Sequence, residues 1–264
     1  MLQVTAASQA APDAARNEDF ALVTPDFIVV LDGVTVVPGM QTGCRHGPAW
    51  YVRRLASHLL LGHTATPDQP LPDLLAAAIR ATREDHPGCD LDHPDSPQST
   101  VCLLRVRDHR AEYLVLSDSP LVLDHGGEVE VVRDLRHRSA GAAPSGSSTG
   151  EATRLERVLA KRRYANQPGG YWVAAAEPDA AYQAITGEVP VSELTRAALL
   201  TDGASCAVDY GLLSWPALLD LVARRGPDQL IAQVRAVEHS DPERIHRHRY
   251  KRYDDATVVF CRPL

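Results

Sequence analysis

The stretch Phe27-Ile28-Val29-Val30-Leu31-Asp32-Gly33 places an acidic residue directly after five apolar ones. An apolar run of this length, rich in β-branched residues and ended by a turn signal, predicts a buried strand. The run Ala197-Ala198-Leu199-Leu200-Thr201 leads into Asp202-Gly203 in the same way. An ionised carboxylate beside a buried strand is costly unless a positive charge compensates it. Two strands that end alike therefore indicate a site that holds cations.

Two further acidic pairs stand where predicted strands begin. Glu18-Asp19 precedes the segment Phe20 to Val23, and Asp254-Asp255 precedes the strand Thr257 to Cys261. Carboxylates that converge at neighbouring strand ends would repel one another. Bound divalent cations remove this repulsion, and ligands that are all oxygen select Mg²⁺ or Mn²⁺ over zinc or copper. Asp-Gly after a strand is also an ordinary turn signal, so the prediction of a metal centre depends on the joint occurrence.

The rest of the chain predicts an α+β fold. The segment from Val101 to Val132 holds four short apolar runs and predicts an antiparallel meander. Because strands come in runs and helices in pairs, layers are favoured over a regular βαβ alternation. Polar stretches at His86 to Gln98 and Ser139 to Gly150 predict loops inserted in a single domain, residues 1–264. Helical periodicity covers Pro48–Leu61, Leu71–Arg83, Glu151–Arg163, Trp215–Arg224 and Asp228–Val237.

Charge and hydropathy exclude several classes of function. The 264 residues include 27 basic and 34 acidic ones, and a net charge of −7 argues against binding along a nucleic-acid backbone. No apolar run approaches the ~20 residues that span a bilayer, and the N-terminus shows no secretory signal pattern. We therefore expect a cytoplasmic protein, without membrane or nucleic-acid partners, that is a monomer.

The cysteines suggest no covalent framework. They number five, are widely spaced and form no Cys-x-x-Cys pair, which fits neither a set of disulfides nor a zinc site. We expect reduced, mostly buried thiols.

Five motifs, in order along nearly the whole chain, resemble those of the PPM family of metal-dependent serine/threonine phosphatases, also called the protein phosphatase 2C family. No single motif is specific, but their shared order is. The motifs are Asn17-Glu18-Asp19, Val30-Leu31-Asp32-Gly33, Ser99-Thr100 with Leu116-Ser117-Asp118-Ser119, Leu200-Thr201-Asp202-Gly203, and Asp254-Asp255-Ala256-Thr257-Val258-Val259.

The resemblance implies a four-layer αββα sandwich of two antiparallel sheets flanked by helix pairs. It implies that phosphoserine and phosphothreonine in proteins are hydrolysed by a water that bridges two Mn²⁺ or Mg²⁺ ions, with no protein nucleophile. A phosphorylated protein is then the substrate and a kinase the counterpart. Asp32 would bridge the two metals, Asp202 and Asp254 would complete one site, and Glu18 and the Gly33 carbonyl would serve the other. Asp19, Asp118 and Asp255 would support the ligands or a third metal.

The chain departs from the family pattern in several places. The phosphate-binding arginine expected four residues before Glu18 is Ala14, which leaves Arg16 as the candidate. The position after Asp32-Gly33 is Val34, so the histidine common there is absent. The carboxylate expected four residues after Asp202 for a third metal is Cys206, with Asp209 as a conceivable replacement. A short flap is expected over 166–187, with recognition or packing roles for Tyr171, Trp172 and Tyr182.

Other functions compete with this interpretation. Leu31-Asp32-Gly33-Val34-Thr35 also resembles the first strand of haloacid-dehalogenase-type phosphatases, which ends in Asp-x-Asp-Gly-Thr, but Val30 stands where their nucleophilic aspartate would be. A degenerate phosphatase-like binding module, or a phosphatase of a phosphorylated small molecule, stays open.

Two compositional features remain. The basic run Arg244 to Arg252 is most simply a solvated face, and because it leads into Asp254 we hypothesise that part of it lies near the site and attracts phosphorylated substrates by electrostatic steering. Among 27 basic residues only Lys161 and Lys251 are lysines, a bias typical of high-GC bacterial coding.

Overall fold

Two five-stranded antiparallel sheets form the centre of the fold. The computed structural model describes residues 1–37, 39–140, 156, 159–243 and 251–264. The strand order is β1-β10-β9-β6-β7 in sheet A and β2-β3-β4-β5-β8 in sheet B. The strands are β1 Leu2–Gln9, β2 Asp19–Val23, β3 Phe27–Asp32, β4 Val101–Arg107, β5 Arg110–Leu116, β6 Leu121–His125, β7 Glu128–Val132, β8 Ile185–Pro190, β9 Leu194–Leu200 and β10 Ala256–Pro263.

Strand residues alternate between two apolar layers, as the two-residue period of a strand requires. In β3, Ile28 and Val30 point towards sheet A and pack with Leu199 and Val259. Phe27, Val29 and Leu31 face the opposite layer, where they pack with helices. Because both faces of β3 are buried, its sequence is a continuous apolar run rather than an alternating one.

Helices cover the outer face of each sheet. Sheet B packs against α1 (Pro48–Ala65) and α2 (Leu71–Glu84), and each of these helices has a proline in its first turn, where the missing N–H costs nothing. Sheet A packs against a second group of helices. Further helical segments within the described residues include α3 Arg136–Ser139, a 3₁₀ turn Pro178–Gln183, α4 Asp202–Asp209, α5 Trp215–Arg225 and α6 Pro227–Ser240.

This αββα sandwich confirms the predicted fold class, while one predicted connection is wrong. The segment from Val101 to Val132 does not form one meander: β4 and β5 pair in sheet B, and β6 and β7 pair in sheet A. The chain crosses between the sheets over 117–120, where Ser117 takes a left-handed φ of 71°. A left-handed residue followed by Pro120 prevents β6 from continuing beside β5.

Other differences fall at the edges. The strands β1 and β8, which were not predicted, both lie at the edge of a sheet. The helix predicted over 151–163 falls largely outside the described residues, and so does the basic run except for Lys251 and Arg252. Among the residues that the structure describes, no helix has the length and apolar character needed to cross a membrane.

A buried arginine gives a test of the packing. Arg105 is 1% exposed, and its guanidinium donates to Glu112 at 2.7 Å and to the carbonyls of Pro67 and Gln69 at 3.0 and 2.8 Å. Arg105→Met should lower the free energy of unfolding by about 3 kcal/mol, because it leaves buried acceptors unpaired. Arg107→Met, which removes a more exposed partner of Glu112, should change it little. Equal effects in urea unfolding would contradict the structure.

Candidate active site

Acidic residues from three distant segments meet at one cavity. Asp32 ends β3, Asp202 begins α4 directly after β9, and Asp254 stands just before β10. All three line a cavity of about 460 Å³, and Gly33 and Asp118 line it as well. The side chains of Asp32 and Asp202 are close enough to share a hydrogen bond. The predicted convergence of strand ends is therefore present.

Crowding of these carboxylates opposes their ionisation. Burial, followed by the charges of Asp202, Asp19 and Asp254, holds the pKa of Asp32 well above its usual range. Burial and the nearby Asp118 raise the pKa of Asp202. Burial also raises the pKa of Asp254, to about 7, although a neighbouring lysine opposes the shift. Such a cluster is expected where a cation is to be bound.

That lysine is Lys251, which the sequence analysis did not assign to the site. Its Nζ lies 2.5 Å from Oδ1 of Asp254. Attraction to Asp254, Asp32 and Asp202 outweighs burial and raises the pKa of Lys251, so its ammonium stays charged. The only signal in the sequence was its position, three residues before Asp254 at the end of the basic run.

Asp19 lies directly behind Asp32, because the two residues are partners in the β2–β3 register. It is 3% exposed, and its Oδ2 accepts a hydrogen bond from Thr201 at 2.8 Å. Its Oδ1 is buried and has no hydrogen-bond partner among the described residues. Burial raises the pKa of Asp19 well above its usual range. An unpaired buried carboxylate oxygen needs a cation or a proton.

Glu18 and Gly33 form one wall beside this cluster. Glu18 does not line the cavity, but Thr35, which does, donates to its Oε2 at 2.5 Å. Burial raises the pKa of Glu18. The N–H of Gly33 donates to the Glu18 carbonyl at 3.1 Å, and a Cβ on Gly33 would lie 2.7 Å from that oxygen and 2.9 Å from Cβ of Pro48. Only glycine fits where the two segments approach each other so closely.

Both carboxylate oxygens of Asp255 are used in hydrogen bonds to the backbone. Its two oxygens accept hydrogen bonds from the backbone N–H groups of Ala11, at 2.7 Å, and Glu18, at 2.6 Å. It therefore ties the segment before β2 to the start of β10. Asp255 was predicted to support the metal ligands or a third metal. In the structure its carboxylate holds the backbone of Glu18 in place.

The residues considered for a third metal are held by other groups. Oδ2 of Asp118 lies 3.4 Å from Nε2 of His137. Asp209 lies 3.1 Å from Arg133 and 3.2 Å from Arg138, which lower its pKa. Burial raises the pKa of the Cys206 thiol, which donates to the Gly203 carbonyl. A third metal has no obvious ligand set among these side chains.

Arg16, the predicted phosphate ligand, is exposed on the segment between β1 and β2 and does not line the cavity. Within the expected flap, Tyr171 lines the cavity and Trp172 packs on the core, whereas Tyr182 is exposed and donates to Asp73. The cavity wall instead holds cationic groups that the sequence analysis did not assign: Arg133, Arg138, Lys161, Arg162 and Lys251.

Solved structures share this architecture across their whole length. A phosphatase from Staphylococcus aureus, Stp1, is 12% identical with a TM-score of 0.60, and the match covers 100% of this chain and 96% of the other. The PPM Ser-Thr phosphatase MsPP from Mycobacterium smegmatis, solved with cacodylate, is 16% identical with a TM-score of 0.55, covering 98% and 97%. The chain has the PPM phosphatase fold.

A further PPM-fold structure, the catalytic domain of the phosphatase PstP in complex with two manganese ions, is 15% identical with a TM-score of 0.51 and coverage of 99% and 97%. Comparison with protein-family models finds no match, and comparison with curated protein sequences finds none. The likeness therefore lies in the fold.

The carboxylate cluster predicts an unusual dependence of stability on pH. Since folding raises the pKa of Asp32, its contribution to stability is present at low pH and is lost as the pH rises above the usual aspartate range near 3.9. In the presence of EDTA, Asp32→Asn should therefore raise the free energy of unfolding by on the order of 1 kcal/mol at pH 7.5. This gain should shrink towards pH 4.

Asp209→Asn is the matched control, because its carboxylate is paired with arginines and folding lowers its pKa. This substitution should destabilise the protein at pH 7.5. Urea unfolding at several pH values measures both variants, and a destabilising Asp32→Asn would contradict the proposed repulsion.

Proposed function

We propose that the chain is a divalent-metal-dependent phosphatase that hydrolyses phosphoserine and phosphothreonine in proteins. The observation that carries the proposal is the composition of the cavity: Asp32, Asp202 and Asp254 lie close together in its lining, and arginine and lysine side chains line the same cavity. Carboxylates that resist ionisation suit divalent cations, and cationic groups suit the oxygens of a phosphoryl group. The PPM phosphatase fold supports the same activity.

The donors fit hard cations. Asp32, Asp202 and Asp254 would hold a metal pair together with Glu18 and the Gly33 carbonyl, and the unpaired Oδ1 of Asp19 lies behind them. These donors are all oxygen, as Mn²⁺ and Mg²⁺ prefer. When bound, two such ions supply an activated water and neutralise charge on the phosphoryl group.

The chain's own residues would orient the substrate. Arg162 is positioned by Asp95 at 2.9 Å and by the carbonyl of Thr35. Arg133 is positioned by Asp209 at 3.1 Å. Side chains fixed in this way present donors to a phosphate without losing much rotamer freedom on binding. Arg162 and Arg133 lie in the cavity wall, whereas Arg16 is exposed outside it. They are therefore better candidates for phosphate ligands than Arg16.

The main test is hydrolysis of an aryl phosphate and of a phosphothreonine peptide. Activity should require Mn²⁺ or Mg²⁺ and disappear with EDTA. Asp32→Ala and Asp202→Ala should each lower kcat/KM by at least about 100-fold, because each removes a ligand of the metal pair.

The matched control is Asp228→Ala, which removes an exposed carboxylate from the first turn of α6 and should leave the rate unchanged. Full activity in EDTA, or full rates in both cavity variants, would contradict the proposal. Metal binding without hydrolysis of either substrate would instead indicate a binding module. Hydrolysis of the aryl phosphate without the peptide would shift the substrate to a small molecule.

A second test concerns Lys251, whose ammonium compensates the same carboxylates that would bind metal. Lys251→Met should lower the Mn²⁺ concentration needed for half-maximal activity several-fold, because a competing cation is removed. In EDTA the same variant should melt at a lower temperature than the wild type, since the carboxylates are then uncompensated.

Arg252→Met is the control, because it removes the same charge from the neighbouring, exposed position. An unchanged Mn²⁺ requirement in Lys251→Met would show that the ammonium leaves the site when metal binds and does not compete there.

A further inference from the structure

Two loops outside the carboxylate cluster are held against each other at Gly43. The N–H of Asp90 donates to the Gly43 carbonyl at 2.8 Å. Gly43 has a φ of 68°, and a Cβ there would lie 2.3 Å from the carbonyl oxygen of Asp90. Glycine is therefore required at this contact. The contact brings Cys44 beside Cys89, which is far away in the sequence.

Three ligand atoms of different side chains meet there. Nδ1 of His46 lies 3.6 Å from Sγ of Cys44 and 3.7 Å from Sγ of Cys89. All three atoms lie within 4.8 Å of one another. In a tetrahedral zinc site with Zn–S near 2.3 Å and Zn–N near 2.0 Å, sulfur and nitrogen ligands are about 3.6 Å apart. The observed spacing matches that geometry.

A second imidazole, next to this group, has an unused nitrogen. His86 is 4% exposed, and its Nδ1–H donates to the Thr82 carbonyl at 3.1 Å. Its Nε2 is buried and has no hydrogen-bond partner among the described residues. The rings of His86 and His46 are 5.1 Å apart, and Trp50 packs against both at 4.4 and 4.3 Å. Metal-binding histidines usually donate one ring N–H to a carbonyl or carboxylate, which orients the other nitrogen towards the metal. The Nδ1 hydrogen bond of His86 leaves its Nε2 available in this way.

We propose that Cys44, His46 and Cys89 bind a zinc ion, and that His86, which packs beside them but lies outside the group of atoms within 4.8 Å of one another, moves closer to become the fourth ligand. Two thiolates and two imidazoles select zinc over Mg²⁺ and Mn²⁺, which prefer oxygen. The site is independent of the proposed phosphatase activity. Its ligands lie in two loops and contain no Cys-x-x-Cys, which is why the sequence pattern did not indicate zinc.

The state of the thiols agrees with this assignment. Cys44 and Cys89 are both free and half-buried. A disulfide between Cys44 and Cys89 is the competing state, and the experiment below distinguishes the two.

Zinc at this position would fix the loops that border the phosphatase cavity. The N–H of Val34 donates to the Gln98 carbonyl at 2.9 Å, and Asp95 positions Arg162. Both contacts join the segment before β4 to the cavity wall. We therefore expect the zinc ion to be structural and to stabilise these loops.

The experiment is metal analysis of the full chain purified without chelator and desalted. The wild type should retain about one zinc per chain. Asp32→Ala should retain it too, whereas the double variant Cys44→Ser/Cys89→Ser should lose it. Cys206→Ser is the matched control and should keep the zinc. His46→Ala and His86→Ala should each weaken zinc binding about 10-fold or more. Cobalt substitution should give thiolate charge-transfer absorption in the wild type and none in the double variant.

Alkylation of the wild-type protein covers the case in which the double variant does not fold. Cys44 and Cys89 should react with iodoacetamide only after a zinc chelator is added. The proposal is overturned if zinc remains in the double variant or is lost in Asp32→Ala. It is also overturned if both thiols react without chelator, or if the protein as purified holds a Cys44–Cys89 disulfide and no zinc.

Discussion

Mutual repulsion among partly buried carboxylates is the constraint on which the rest of the structure depends. Asp32 belongs to sheet B, while Asp202 and Asp254 adjoin the central strands of sheet A. The apolar layer between the sheets, with Ile28 and Val30 on one side and Leu199 and Val259 on the other, forces these strand ends together. Hydrophobic burial thus holds like charges at a separation they would not adopt alone. The cluster is a product of sheet packing rather than of any single loop.

Hydrogen bonds fix this arrangement against relaxation. Thr201 donates to Asp19 at 2.8 Å and accepts from the N–H of Thr257 at 2.9 Å, which links both sheets behind the cluster. Asp255 holds the backbone of Glu18. Because the carboxylates cannot move apart, their repulsion must be offset by protons, by Lys251 or by bound cations. A site prepared for metal in this way costs stability when the metal is absent, which is a common relation between function and stability.

The four-layer fold class was implied by the resemblance of the motif order to the PPM family. The apolar runs that end in Asp-Gly were enough to predict the central strands, because buried strands carry a strong signal. Edge strands do not: β1 alternates weakly, with mostly exposed residues, and β8 is largely exposed. The crossing at Ser117 depends on one left-handed residue that no periodicity reveals. Lys251 was missed because a lysine in a basic run usually faces solvent. Only the converged strand ends show that this one faces three carboxylates.

The stretch of sequence from Asp32 to His46 connects the two proposed metal sites, which differ in their donor atoms. At its start, Asp32 and Gly33 present oxygen donors, and at its end, Cys44 and His46 present sulfur and nitrogen. Hard divalent ions prefer the first set and zinc the second, so the same segment can carry both without exchanging them. The two ends differ in mechanical support as well: the oxygen donors are held by packed strands, whereas the thiols lie on loops joined at Gly43. A structural metal is most useful where packing is weakest. A zinc ion would therefore restrict motion most at the loop end of the segment. Thr35 lies between the two ends and is hydrogen-bonded to Glu18 and Arg162, so a more rigid segment would also hold these two side chains in place.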